Sequence, residues 1–221
     1  MRRQEPLPPP LPPETRTVGQ LVAESLRLYG RRFWPSLALG LSVAAINQVS
    51  AGRSTLVQVL VLAGGAPLMA AAYAGACAIV GDVRPPAATV AKAVAVGALV
   101  FVPAAFLSII FVLPAVAWLA LVGLVVPVLV LERPPIAAAF RRTLQLARAD
   151  YLHALASLAT LVILFGLVKF MLVLLLRDLG EAGERAALGL ADVVVSPILF
   201  LGAAILYVDQ AARVRSRPAT R

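Results

Sequence analysis

Between Ala93 and Leu131 the chain carries no charged side chain. As one α-helix this stretch would be roughly 58 Å long at about 1.5 Å per residue. A bilayer core is only ~30 Å thick and takes about 20 apolar residues per crossing. The stretch therefore folds back on itself as two helices. Pro114 is the expected turning point, because proline is tolerated in the first turn of a new helix. A re-entrant pair is the alternative to a spanning hairpin. A soluble domain has no place for a run of this kind, and the composition agrees: 61% of the 221 residues are hydrophobic and 14% charged, against about 45–50% and 25% in soluble domains.

Six segments have the length and apolarity of spans: 34–51, 55–81, 94–112, 114–131, 151–176 and 187–209. The expected fold class is all-α, a polytopic membrane protein of about six transmembrane helices with amphipathic interfacial helices. Residues 1–15, MRRQEPLPPPLPPET, are too proline-rich for a helix or a signal-peptide core and read as an uncleaved, disordered cytoplasmic tail. Residues 16–213 form one transmembrane domain, and 214–221 a basic cytoplasmic tail.

Charge sets the orientation. Sixteen of the twenty basic residues fall in the two terminal segments and the 82–93 and 132–150 loops, leaving Arg53, Arg177 and Arg185 opposite and Lys169 inside a span. Lys and Arg accumulate on the cytoplasmic side, so both termini are expected there, in a multi-pass protein of the cytoplasmic (plasma) membrane. This segregation accounts for the net charge of +9 without nucleic acid as a partner. Trp118 is expected near the outer end of the fourth span, and Tyr29, Phe33, Trp34, Tyr151 and Tyr207 near the inner interface.

Thr17 to Gln20 has the form of a helix-opening capping box. In the helix that follows, Val18, Leu21, Val22 and Leu28 share a face opposite Arg27 and Arg31. A second such helix begins after Pro134-Pro135, with Ile136, Phe140 and Leu144 opposing Arg141 and Arg148. Helices of this kind lie in the membrane interface, which makes Arg27, Arg31, Arg141 and Arg148 the expected contacts for anionic lipid headgroups. The two segments match at an offset of 118 residues: Val18/Ile136, Ser25/Thr143, Leu26/Leu144, Leu28/Leu146 and Phe33/Tyr151. Pro85-Pro86 and Lys92 would mark a degraded middle copy, giving three units of interfacial helix plus hairpin.

The segment Thr17–Phe33, together with Val126–Glu132, Ala137–Arg148, Ser196-Pro197 and Leu206-Tyr-Val-Asp209, resembles uncharacterised prokaryotic integral membrane proteins related to the membrane domain of glycerophosphoryl diester phosphodiesterases. The resemblance covers most of residues 16–213. It departs at Gln210-Ala-Ala-Arg213, where relatives often continue basic. It implies a membrane module without an assigned reaction, and the phosphodiesterase catalytic domain is absent.

Catalytic signatures such as HExxH, GxSxG and the P-loop are missing. One cysteine and one histidine exclude a disulfide and multi-histidine metal sites. His153 and Ser157 share a helix face but lack a third group. No enzyme and no cofactor is expected. Two features remain. Gly64, Gly65 and Pro67 should break the second span, whose Ala66/Ala70/Ala74/Ala78 and Ala71/Gly75 spacings favour close helix packing. Lys169 and Asp192 lie in the fifth and sixth spans, each roughly 10–12 Å from the outer loop by the helical rise. At matched depth they form an ion pair across the hairpin, or line a solute or proton path. The expected function is a non-enzymatic accessory or scaffolding membrane module that contacts anionic lipids. The alternative is a small-solute transporter or channel using Lys169 and Asp192.

Overall fold

A computed structural model describes residues 12–109, 111–176 and 180–216. Among them there is no strand. A single 3₁₀ turn, Pro13–Thr15, leads into α1 (Val18–Arg31), which the Thr17/Gln20 capping box opens: Thr17 N donates to Gln20 Oε1 at 2.7 Å, and Gln20 N to Thr17 Oγ1. The remaining helices are α2 (Phe33–Ser50), α3 (Thr55–Gly64), α4 (Ala66–Val80), α5 (Ala87–Leu107), α6 (Val112–Val122), α7 (Val125–Pro127), α8 (Ile136–Ala149), α9 (Tyr151–Leu176), α10 (Gly180–Val195) and α11 (Pro197–Ser216). A π-helical turn, Val128–Glu132, completes the α6–α7 rod and ends at Arg133 in the left-handed region.

Four helical stretches are long and apolar enough to cross a membrane: Ala87–Leu107, Val112–Glu132, Tyr151–Leu176 and Ala182–Ser216. The bent pair α3–α4 makes a fifth if it counts as one span. The uncharged run is divided between α5, which ends at Leu107, and α6, which begins at Val112, and Pro114 falls in the first turn of α6 as expected. The first expected span, 34–51, corresponds to α2, which is not among the span-capable helices. Trp34, Pro35, Ser36, Asn47 and Gln48 dilute its apolar character at both ends. Instead α2 packs against α4 and α10.

Close packing relies on small residues. A Cβ at Gly40 would fall on the Val193 carbonyl, so α2 and α10 touch backbone to backbone. Ala66, Ala70 and Ala74 are buried, Ala70 against Gly97 of α5, whereas Ala71 is exposed. Trp118 of α6 ties that helix to α5. Its indole Nε1 donates to Val100 O at 3.0 Å, on the turn of α5 where Pro103 interrupts the helical hydrogen bonds. Large apolar side chains remain outside, most of all on α9, where Leu152, Ile163, Phe170 and Leu175 are all more than half exposed. A water-facing helix would not carry such a surface.

The 118-residue offset extends further than the residue pairs that revealed it. α1 and α8 are both fourteen residues long and begin and end in register, and α2 and α9 also start in register. Ser25 and Thr143 are both fully buried, as are Ser36 and Ala154, while Leu26 and Leu144 are both exposed. The middle unit does not follow this plan. After Pro86 the chain enters α5 directly as one continuous 21-residue helix, with no separate interfacial helix before it.

Candidate functional site

Lys169 and Asp192 meet. Lys169 Nζ lies 2.8 Å from Asp192 Oδ1, joining α9 to α10. The second carboxylate oxygen accepts from Asn47 Nδ2 at 2.7 Å, so α2 completes the site. Asp192 is 1% exposed and the Lys169 side chain 25% exposed. The Lys169 ammonium also stands 5.5 Å from the centre of the Phe165 ring one turn earlier, a cation–π arrangement. Nearby, Ser196 Oγ donates to the Asp192 carbonyl at 2.6 Å, and Gln48 Nε2 donates to the Arg185 carbonyl at 2.8 Å. The carboxylate thus has one charged and one neutral partner from two different helices. A buried carboxylate requires such compensation. Arg177, eight residues after Lys169 at the outer end of the expected fifth span, lies outside the described residues.

Asn47 also borders a cavity of about 250 Å³ between α2, α3 and the turn after α5, where Ser50, Gln58 and Ser108 supply polar walls. The α3–α4 bend adjoins it. Thr55–Gly64 and Ala66–Gly81 meet at 50°, with Gly65 at the break and Pro67 in the first turn of α4. A Cβ at Gly65 would come within 2.5 Å of Ile46 Cδ1, so the bend also seats the residue preceding Asn47.

A second polar constellation occupies the opposite end of the bundle. Arg16 Nη1 pairs with the fully buried Asp209 at 2.6 Å, and Arg213 Nη1 pairs with Asp150 Oδ2 at 2.6 Å. Arg213 Nη2 donates to the Arg16 carbonyl, and Gln210 Nε2 to the Asp150 carbonyl. The other Asp150 oxygen accepts from His153 N at 3.0 Å, which makes Asp150 the cap of α9. Glu132 gathers Tyr207 Oη at 2.7 Å and Arg142 Nε at 3.2 Å. Arg32 pairs with Asp82 at 2.8 Å.

The four expected lipid-contact arginines, Arg27, Arg31, Arg141 and Arg148, are all exposed. Arg27 and Arg31 share Glu24, at 3.7 and 3.3 Å. Sequence reasoning missed Asn47, Asp150, Asp209 and Glu132. Asp150 alone had a local signal: it stands three residues before His153 at a helix start, the N-cap position. His153 Nε2 and Ser157 Oγ make no hydrogen bond to each other. Among the described residues no group of three or more His, Cys, Asp or Glu side chains is arranged to hold a metal ion.

Comparison with family models, with curated proteins and with solved structures finds no match to this chain.

Proposed function

We propose that the chain is a non-enzymatic accessory or scaffolding module of the cytoplasmic membrane. It crosses the bilayer six times, with both termini in the cytoplasm and basic interfacial helices on anionic lipid. The proposal includes kinship with the membrane domains related to glycerophosphoryl diester phosphodiesterases, which rests on the residue patterns quoted above. The observation that carries the reading is the Asn47–Asp192–Lys169 clamp. The two intramembrane charges are spent on each other and on Asn47, tying α2, α9 and α10 together as structure. The alternation of chain ends supports six passes: Arg16, Asp82, Glu132, Asp150 and Asp209 gather at one end, while Asn47, Ser108 and Arg185 lie at the other.

Each arginine near an anionic leaflet brings about 1 kcal/mol. The full-length chain in nanodiscs should therefore melt at higher temperature in anionic than in zwitterionic lipid. Changing Arg27, Arg31, Arg141 and Arg148 together to Gln should remove most of that difference. An unchanged difference would reject the lipid contacts.

One observation favours transport as the second reading: the polar cavity that reaches Asn47, next to the buried carboxylate. On that reading proteoliposomes carry a proton or small-solute flux that Asp192→Asn abolishes, whereas the scaffolding reading expects no flux from either form.

A further inference from the structure

The arginines at the end of α1 do not form a uniformly basic surface. A cavity of about 350 Å³ opens beside them, between α1, the end of α4 and α11. Small-ligand pockets run from about 300 to 1,000 Å³. Its charged wall is Arg16, Glu24, Arg31, Arg32 and Asp82, over an apolar floor that includes Leu28, Ile79 and Ile205. Arg16 stands at the back and is committed to Asp209, with side-chain exposures of 11% and 0%. Arg31 and Arg32 are left facing Glu24 and Asp82, and Arg27 shares Glu24 from outside the cavity at 3.7 Å. The Arg31–Glu24 and Arg32–Asp82 pairs, at 3.3 and 2.8 Å, are open: the arginine side chains are 69% and 52% exposed, and Asp82 is 81% exposed. Exposed ion pairs of this kind contribute little and exchange partners readily. Asp82 holds its place through a left-handed backbone, φ 47°, a conformation aspartate tolerates better than most residues.

We propose that this cavity binds the headgroup of an aminophospholipid. The phosphate diester lies between Arg31 and Arg32, and guanidinium groups suit it by geometry. The primary ammonium points to Asp82 and Glu24, and the glycerol and first methylenes cover Leu28, Ile79 and Ile205. The assignment rests on the membrane reading above, which puts this end of the bundle at headgroup depth. A purely anionic headgroup would bring no cation to Glu24 and Asp82, which line the same cavity as the two arginines. A choline headgroup has no N–H donors for those carboxylates. Quaternary ammonium groups are instead taken by aromatic faces, and the cavity has no aromatic lining residue.

The test uses the full-length chain, isolated from the membrane fraction and exposed in detergent to equal amounts of phosphatidylethanolamine, phosphatidylcholine or phosphatidylglycerol. Native mass spectrometry then counts the lipids retained. We expect at least fivefold more ethanolamine than choline lipid. The pair Glu24→Gln and Asp82→Asn should erase that preference while retention of the glycerol lipid is kept or increased, which also shows that the variant is folded. Arg31→Gln with Arg32→Gln should lower retention of all three. Equal retention of ethanolamine and choline lipids, or a preference that survives the carboxylate changes, overturns the headgroup assignment and leaves the membrane module standing. Recovery of the chain in the soluble fraction overturns both.

Discussion

Lys169 Nζ and Asp192 Oδ1 lie 2.8 Å apart, yet the two partners are unequally sheltered: Asp192 is 1% exposed and the Lys169 side chain 25%. The asymmetry gives the pair a direction. Removing the lysine leaves a buried carboxylate with Asn47 alone. Removing the aspartate leaves a long, partly exposed side chain that is free to carry its ammonium toward a polar surface.

Lys169→Met should therefore lower stability more than Asp192→Leu, at about 3 kcal/mol for the stranded carboxylate. The double variant should recover much of the loss. A coupling larger than about 0.5 kcal/mol exceeds ordinary additivity error. Thermal unfolding of the four forms in detergent measures it, and small additive losses would sink the ion-pair assignment in favour of a hydrated path. Asn47→Leu should cost about 1.5–3 kcal/mol, the range for a hydrogen bond to a charged group.

Glycine substitutions separate the two kinds of close approach. Gly40→Ala would drive a methyl into the Val193 backbone, which cannot yield. Gly65→Ala meets only the tip of Ile46, which can rotate away. We expect Gly40→Ala to lower the melting temperature clearly more than Gly65→Ala, since overpacking costs about 1–3 kcal/mol. Gly19→Ala, with open space around it in α1, should be neutral or stabilising by about 0.5–1 kcal/mol. Equal effects at all three positions would contradict the α2–α10 packing.

These relationships were not equally legible in the sequence. The Lys169–Asp192 pair was readable because two isolated charges interrupt apolar runs, and the helical rise fixes their depth. The register of α1 with α8 was readable from the 118-residue offset, and the capping box from the Thr17–Gln20 spacing. Asn47 was not. It is one polar residue at the end of a helix, and nothing linear says that α2 packs on α10. Asp150, Asp209 and Arg213 were hidden for another reason. Charges at the ends of spans read as topology signals, and their pairing arises only once α11, the α8–α9 junction and the N-terminal segment converge. The break between α3 and α4 was legible from Gly64, Gly65 and Pro67. That Asn47 and Ser108 border a cavity beside it depends on how far α3 tilts.

The convergence of Arg16, Asp209, Arg213 and Asp150 makes a separate prediction. Arg16 holds the buried Asp209 by its side chain and Arg213 by its carbonyl. Arg16→Met should deprive Asp209 of its hydrogen-bonded partner and loosen the Pro13–Thr15 turn, which packs on α11. Hydrogen exchange should rise across residues 13–21 and at the end of α11, while α5 stays protected. Combining Arg16→Met with Asp209→Leu should restore protection at α11, because the unpaired charge is gone. Faster exchange throughout the chain would mean that the contact supports the whole fold rather than this corner.

Threading is tested from outside. Under the six-span proposal, reporters fused at both termini read cytoplasmic, and reporters inserted at Arg53 or Glu181 read external. The crossing of α2 decides that proposal. This helix is eighteen residues long and falls outside the span-capable set, although it carries the chain from the Arg16–Arg32 end to the Asn47 end. If α2 did not cross, the sites before and after it would lie on one side and the signal at Arg53 would match that of the N-terminus. We expect opposite signals, because Asn47 reaches the same Asp192 as Lys169, and Lys169 lies within a 26-residue helix whose exposed face is almost wholly apolar. Cysteine accessibility gives the independent check. With the buried Cys77 changed to Ala, a cysteine introduced at Arg53 should react with an impermeant maleimide from outside intact cells, and one at Arg84 only after lysis. Labelling of both before lysis, or of neither, would reject the crossing of α3–α4 and with it the even number of spans.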